Sequence, residues 1–356
     1  MKKYFNVYGL VWVIPFLMGL LTLGMDPNIE GTDLGGQVYN LGLSEMENPW
    51  SIIFDTDGRV SGLYYPLYIV FHRMIGMATM QYIALISFTY YLLVLLILKW
   101  YINYNKCSYL RKSEQTYLVV FTVMSFSPIF ICITRFLFAV NLVLLGFLLY
   151  VHRHRLIGVA IALSSIYAHE GMKMILATII VAFVLNKLWL ARSKSIGLRN
   201  TIIISVSAAL LVLGVLIFSF LGEVLVSNDM VSEKYTDLYI TAGAGDGMYM
   251  VVILLAMAGT LAELIANCLK YKKSDWLHCL CVASLFTICL LINQKVFYVQ
   301  RIMMFMPVFL GLSTIHILGQ ENSADSKSVY RLILISVPAI CLAQFFFWRQ
   351  IFFSWL

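Results

Sequence analysis

The stretch ATMQYIALISFTYYLLVLLILKW at residues 78–100, followed by YINYNKCSYLRK at residues 101–112, decides how this chain is built. Lys99 is the only charged side chain in the first part, whereas the second part ends on Arg111 and Lys112. An apolar run of this length crosses the hydrocarbon core of a bilayer as one helix. Basic residues directly after such a helix mark its cytoplasmic end. The stretch therefore predicts a membrane-spanning helix that runs from outside to inside.

The same pattern repeats along the whole chain. Its 356 residues are 61% hydrophobic and 12% charged, with a mean hydropathy of +0.86, and that charged share is about half the usual one. Sorting the connections alternately to two sides puts 17 of the 25 Lys and Arg on one side and 13 of the 18 Asp and Glu on the other. The fold predicted is an all-α polytopic protein of the inner membrane, with a cytoplasmic N-terminus and an outer C-terminus. Its eleven spans are placed at 4–24, 78–100, 115–134, 136–151, 156–168, 172–190, 201–221, 249–268, 277–294, 302–318 and 332–348.

Composition and motifs exclude several function classes. The net charge of +7 comes from cytoplasmic loops, so it does not indicate nucleic-acid binding. Most of the seven cysteines fall in or at the ends of apolar segments, which argues against disulfides. Cys279 and Cys281 lack a second Cys/His pair, and Asp55-Thr56-Asp57 is an unspecific match, so we expect no metal and no cofactor. No Walker motif, HExxH or GxSxG occurs.

The chain is expected to form one membrane domain over 1–356, with outer loops at 25–77 and 222–248, and three segments depart from simple spans. Residues 63–100 as a single helix would measure about 57 Å against a core of about 30 Å. The part from Leu63 to Met77, which contains Pro66, must then lie along the outer surface or re-enter. Residues 156–168 make a helix of only about 20 Å, which ends below the outer surface. Pro128 interrupts the third segment, 115–151. Short or re-entrant helices around an outward-facing, water-filled cavity follow from these lengths.

Arg135 is the foremost candidate for function. It follows Ile131-Cys132-Ile133 and precedes Phe136-Leu137-Phe138, and an ionisable group at membrane depth costs several kcal/mol unless something compensates it. The alternative is an arginine that snorkels to the phosphates of the outer leaflet. His169 and Glu170 share the short turn after residues 156–168. Either side chain is a candidate for taking a proton from a hydroxyl, or for a structural pair with Lys173 on the next helix.

Two further places carry candidates. Asp33 lies in the glycine-rich stretch Glu30 to Tyr39, where glycines would let a sugar or phosphate approach the backbone. The alternative is a flexible surface loop, which has the same kind of sequence. Arg301, with Lys295 close by, lies at the outer start of the tenth span, where hairpin ends often carry a basic residue.

In four places the chain resembles the Wzy-type and EpsG-like polysaccharide polymerases. These are Asp33 to Tyr39 after the first span, Tyr64 to Tyr68 before the second, Thr134 to Ala139, and Tyr167 to His169; the late Tyr298 to Met304, with Arg301, is similar to the family's late arginine. Many relatives have a small residue or proline where this chain has Glu170.

The resemblance implies an enzyme, a metal-independent glycosyltransferase that joins undecaprenyl-pyrophosphate-linked oligosaccharide repeat units on the periplasmic side of the bacterial inner membrane. Its partners would be that lipid-linked substrate, membrane lipid and a chain-length regulator protein. The candidate bases are His169, Glu170 and Asp33. The candidate substrate-binding residues are Arg135, Arg301, Arg73, Lys173, Lys295, Tyr39, Tyr65 and Tyr68, with the arginines on the pyrophosphate and the tyrosines on sugar rings.

Two other functions remain open at this point. A ligase or another membrane glycosyltransferase would use the same cavity and the same donor. A flippase for a lipid-linked sugar would need charges along a path that reaches both faces of the membrane. The buried charges in this sequence cluster instead at the outer end, with Glu263 as the exception.

Overall fold

The computed structural model of this chain describes residues 7–27, 34–52, 62–104, 133–169 and 171–173, with single positions at 176, 180, 304, 305 and 308. Regular structure in this part of the chain is helical throughout, without a strand. The helices are α1 (Val7–Leu23), α2 (Leu34–Ser44), α3 (Pro49–Ile52), α4 (Tyr64–Ile75), α5 (Thr79–Tyr104), α6 (Thr134–Val151) and α7 (Arg155–Ala168).

The chain divides into two compact units, one made of Met1–Met174 with Cys341–Leu356 and the other of Ile175–Ile340. The helices α1 to α7 all belong to the first unit. A single domain over 1–356 stays a prediction about the whole chain.

Two of the described helices, α5 and α6, are long and apolar enough to cross a membrane. At 1.5 Å per residue their 26 and 18 residues measure about 39 and 27 Å, against a core of about 30 Å. They cover the predicted spans 78–100 and 136–151, and α1 covers most of 4–24. The spans 201–221, 249–268, 277–294 and 332–348, nearly all of 115–134, 172–190 and 302–318, and the loop 222–248 lie outside the described residues.

The segment 63–100 is two helices, as its length predicted. Helix α4 ends at Gly76, whose φ of 67° and ψ of 29° place it in the left-handed region and whose N–H bonds the His72 carbonyl. This conformation suits a residue without Cβ, and it is a common end for a helix. Pro66 stands in the first turn of α4, where its missing N–H costs no helical hydrogen bond. Helix α5 then begins at Thr79 and packs against both α1 and α6.

Helices α6 and α7 form a tight hairpin. A Cβ on Gly146 would lie 2.5 Å from the Gly158 carbonyl oxygen, and a Cβ on Gly158 would lie 2.5 Å from the Gly146 oxygen. The two backbones therefore touch, and only glycine fits at both positions. Helix α7 has 14 residues, or about 21 Å, so the prediction of a short helix ending before His169 is confirmed.

The glycine-rich stretch after the first span is not a loop from Leu34 onward. It forms α2, whose buried positions Leu34, Leu41 and Ser44 lie on one side of the helix. Burial of this side outweighs the low helix propensity of three glycines. Gly35 has a packing role, because a Cβ there would stand 2.7 Å from the Pro27 carbonyl oxygen. That the glycines of this stretch let a sugar or phosphate approach the backbone stays a prediction.

Candidate functional site around Arg135 and His169

Arg135 is the second residue of α6, and its guanidinium reaches the end of α7. Its Nε donates to the Ala168 carbonyl oxygen at 3.0 Å. The Leu63 N–H, just before α4, donates to the neighbouring Tyr167 carbonyl at 3.1 Å. The last carbonyls of a helix lack partners within it, and a cation there also offsets the negative end of the helix dipole. Arg135 therefore caps α7, which compensates part of the cost of holding its charge at this place.

Tyr65 supports the guanidinium from α4. The Arg135 Cζ lies 5.6 Å from the centroid of the Tyr65 ring, and the Tyr65 hydroxyl is hydrogen-bonded to the side chains of Arg135 and Asn40. Burial raises the pKa of Tyr65 above its ordinary 10.0, while Arg135 and Asn40 pull that pKa in the other direction. Tyr65 is thus a neutral phenol at physiological pH. Arginine only donates, and a contact with Asn40 that lowers the pKa is one in which the amide N–H donates, so the phenol oxygen accepts from both side chains.

Gly62 allows these elements to meet. Its φ is 85°, and a Cβ would stand 2.3 Å from the Tyr167 oxygen and 3.4 Å from Arg135 Nη2. A side chain there would push α4 away from the end of α7. Sequence reasoning missed both Gly62 and Asn40. The only local signal was a glycine directly before the tyrosine-rich start of α4, and Asn40 gave none.

His169 follows α7 in extended backbone, with φ −159° and ψ 127°. Its side chain is 8% exposed, and its ring stands edge-on to Phe136 with centroids 5.0 Å apart. The Gly171 N–H donates to Nδ1 at 3.0 Å, so we assign the neutral ring its proton on Nε2. In this tautomer His169 is a hydrogen-bond donor, and its one lone pair is already used. The geometry favours an orienting or anion-binding role over that of a base.

The structure thus brings Arg135 and His169 together. The Arg135 guanidinium bonds the residue before His169, and the His169 ring packs on the residue after Arg135. We call this group, made of Arg135, His169, Tyr65, Asn40 and Gly62, the Arg135 cluster. A water-filled cavity at this place stays a prediction.

Arg73 and Tyr68 are not part of the Arg135 cluster. Arg73 lies eight residues after Tyr65, or about 12 Å along α4, and donates through Nη2 to the Glu45 and Glu47 carbonyls at 3.1 and 2.8 Å. The Tyr68 side chain is fully buried, and its hydroxyl donates to the Glu45 carboxylate. That carboxylate lies 3.7 Å from His72 Nε2. These contacts tie α4 to the end of α2.

The other predicted residues divide into two groups. Tyr39 is 62% exposed on α2, one position before Asn40, and Lys173 is exposed four positions after His169. Asp33, Glu170, Lys295 and Arg301 lie outside the described residues. Within the described ranges no group of three or more His, Cys, Asp or Glu side chains is placed to hold a metal ion.

Comparison with protein-family models, with curated proteins and with solved structures gives no match for this chain. The resemblance to polysaccharide polymerases therefore rests on the residues quoted above. Any argument for function must start from the Arg135 cluster and the helices that hold it.

Proposed function

We propose that this protein is a membrane glycosyltransferase that polymerises undecaprenyl-pyrophosphate-linked oligosaccharide repeat units. It would act on the periplasmic face of the bacterial inner membrane, as an eleven-span protein with its N-terminus in the cytoplasm. The product would be O-antigen or a related surface polysaccharide. The observation that carries the proposal is the Arg135 cluster, a guanidinium held in place beside a histidine at the ends of apolar helices.

The cluster suits a pyrophosphate. A guanidinium offers five N–H donors in a plane, and its Nε is the donor that reaches Ala168. Arg135 also stands in the first turn of α6, where the backbone amides and the helix dipole favour an anion. The Nε2–H of His169 adds to the positive potential in the tautomer assigned above. These three sources of positive potential support pyrophosphate as the group bound here.

Pyrophosphate binding also supplies the chemistry. In glycosyl transfer the bond between the sugar C1 and the pyrophosphate oxygen breaks, and C1 bonds the acceptor hydroxyl oxygen. Negative charge grows on the departing pyrophosphate, so a fixed cation beside it stabilises the transition state more than the ground state. The hydroxyl proton passes to a base, for which Asp33 and Glu170 remain the candidates. Neutralising the leaving group with arginine requires no metal ion.

Burial decides which of the three tyrosines that were predicted to contact sugar rings have another role. Tyr65 and Tyr68 are buried, so we assign Tyr65 to holding Arg135 and Tyr68 to holding Glu45. Lys173, Lys295, Arg73 and Arg301 remain proposed contacts to the anionic substrate. A chain-length regulator protein remains a proposed partner.

Deleting the gene tests this function against its alternatives. Loss of a polymerase leaves single repeat units attached to the surface acceptor, which appear as one band on a polysaccharide gel. Loss of a ligase leaves nothing attached while polymer accumulates on the lipid carrier. Loss of a flippase leaves repeat units on the cytoplasmic side, with nothing on the surface. We expect the single band, restored to a ladder by the gene on a plasmid, and either of the other patterns would contradict the proposal.

A further inference from the structure

The outward side of α2 is apolar although this helix lies in a predicted extramembrane loop. Tyr39 and Leu43 lie four positions apart on α2, Met46 follows in the turn after this helix, and Trp50 lies in α3; they are 62%, 44%, 95% and 76% exposed. We call these four residues the α2–α3 face. The other exposed positions of α2 are Gly36 and Gly42, so its outward side carries no charge. Large side chains of this kind exposed together mark a surface that contacts something other than water.

The polar groups of the same segment are turned elsewhere. Asn40 bonds Tyr65, and the Glu45 carboxylate accepts from Tyr68 and lies beside His72. Arg73 holds the backbone carbonyls that follow α2. Glu47 and Asn48 are exposed between Met46 and Trp50, in the turn before α3. The segment is thus amphipathic, with its polar side against α4 and its apolar side unpartnered in the described structure.

The surroundings of the α2–α3 face indicate a bilayer as its occupant. Helix α2 starts beside Pro27, four residues after the end of α1, because a Cβ on Gly35 would lie 2.7 Å from the Pro27 carbonyl oxygen. Helix α1 itself exposes a row of apolar side chains that includes Trp12 at 60% and Phe16 at 58%. Two consecutive helices of the chain, α1, whose exposed side suits lipid, and α2, thus both expose apolar side chains. At the far end of α4, Met74 is 76% exposed, just before the membrane-length α5.

We infer that α2 and α3 form an in-plane membrane anchor, with the α2–α3 face inserted at the boundary between headgroups and acyl chains. Tyrosine and tryptophan are the side chains that settle at this boundary, and an amphipathic helix without a charge on its apolar side lies in it. The inference rests on the proposed membrane embedding and not on glycosyl transfer. Since Asn40 of the same helix bonds Tyr65, the anchor fixes the Arg135 cluster near headgroup depth, where the phosphates of a lipid carrier lie.

Depth-dependent quenching tests the anchor. The full chain is reconstituted in nanodiscs of phosphatidylcholine and phosphatidylglycerol, and Met46→Cys is labelled with a small fluorophore. Nitroxide lipids quench from within the bilayer, and a water-soluble nickel chelate quenches from the aqueous phase. Asn48→Cys is the matched control two residues away, and Leu43→Cys repeats the test if Met46→Cys does not fold. Labelled protein without an added cysteine gives the background.

We expect lipid quenching to be at least threefold stronger at position 46 than at position 48, with the reverse order for the nickel chelate. Equal aqueous quenching at both positions would overturn the anchor. Protection of position 46 from both quenchers would also overturn it, because a protein surface, such as a second copy of the chain, would then cover the face. Trp12→Cys on α1 separates the premises. If nitroxide lipids fail to quench the label at position 12, the proposed membrane embedding is wrong. None of these readouts depends on glycosyl transfer, so failure of the proposed enzyme function would not change them.

Discussion

At the scale of single residues, Arg135 caps α7 and is proposed to bind phosphate, and a conservative substitution separates these two roles. The Arg135→Lys variant keeps the charge and one donor for the Ala168 carbonyl, but a lysine cannot reproduce a planar contact with a phosphate. We expect this variant to insert and accumulate normally and to lose most polymer on a surface polysaccharide gel. The matched control is Arg155→Lys, whose arginine lies over the Tyr150 ring at the opposite end of the α6–α7 hairpin and whose replacement should leave the ladder largely unchanged. A normal ladder from Arg135→Lys would reduce Arg135 to a helix cap.

Two substitutions of His169 likewise separate the contributions of its two ring nitrogens. In His169→Asn the side-chain oxygen can replace Nδ1 as acceptor for the Gly171 N–H, but no donor remains at the place of Nε2. In His169→Gln an amide N–H can stand near Nε2, and neither amide accepts a proton at physiological pH. We expect the Gln variant to keep measurable polymer and the Asn variant to make single repeat units only. Equal loss in both, with normal protein levels, would return His169 to the role of a base.

At the scale of the elements, the lengths of the apolar segments predicted the helices better than the types of residue did. The break between α4 and α5 and the shortness of α7 both followed from comparing segment lengths with the thickness of a bilayer core. Helix α2 did not follow, because glycines lower the local helix propensity and the helix is stabilised by burying Leu34 and Leu41. Asn40 and Gly62 were missed for a related reason. Each acts through a residue distant in sequence, and a single sequence does not show such pairs.

The join between α4 and α7 gives a prediction about stability. Gly62→Ala adds a Cβ that would stand 2.3 Å from the Tyr167 oxygen at a positive φ. Gly76→Ala puts a side chain at a positive φ but creates no clash, because nothing lies within 4 Å of the new Cβ. The strain of a left-handed residue costs about 1 kcal/mol, and the clash at Gly62 adds to it. We expect a small fall in melting temperature in detergent for Gly76→Ala and a much larger fall for Gly62→Ala. Equal effects would mean that α4 and α7 do not meet at this glycine.

Helix α4 also predicts how stability depends on pH. Burial raises the pKa of Tyr65 and Tyr68 above the ordinary 10.0, and the Glu45 carboxylate raises that of Tyr68 further. The folded state thus holds these phenol protons more tightly than the unfolded state does. Their contribution is complete below about pH 10, the pKa of a free tyrosine, and is lost as pH rises above it. We expect the melting temperature to fall between pH 9 and pH 11, and to fall less in Tyr65→Phe than in the control Tyr150→Phe, whose ring is 44% exposed. The same fall in both would exclude a contribution from Tyr65.

At the scale of the whole molecule, the charge asymmetry and the helix hairpin together predict an orientation. The turn between α6 and α7 carries Arg153, and Arg155 is the first residue of α7; the alternation of charge predicts both in the cytoplasm. The other end of this hairpin holds Arg135 and His169. If the turn is inside, the Arg135 cluster points outward, toward the side where a glycan carried on lipid would be extended. Orientation therefore decides whether the proposed chemistry takes place on the periplasmic side.

Cysteine labelling in whole cells measures this orientation. Asn48→Cys is exposed in the segment predicted outside, and His154→Cys is exposed in the turn predicted inside while leaving both flanking arginines in place. Ser44 is unsuitable for this purpose because it is buried against Leu41. An impermeant thiol reagent should label position 48 in intact cells, and position 154 only after the inner membrane is permeabilised. Labelling of 154 but not 48 in intact cells would invert the molecule. The Arg135 cluster would then face the cytoplasm, where a polymerase acting on already translocated repeat units has no substrate.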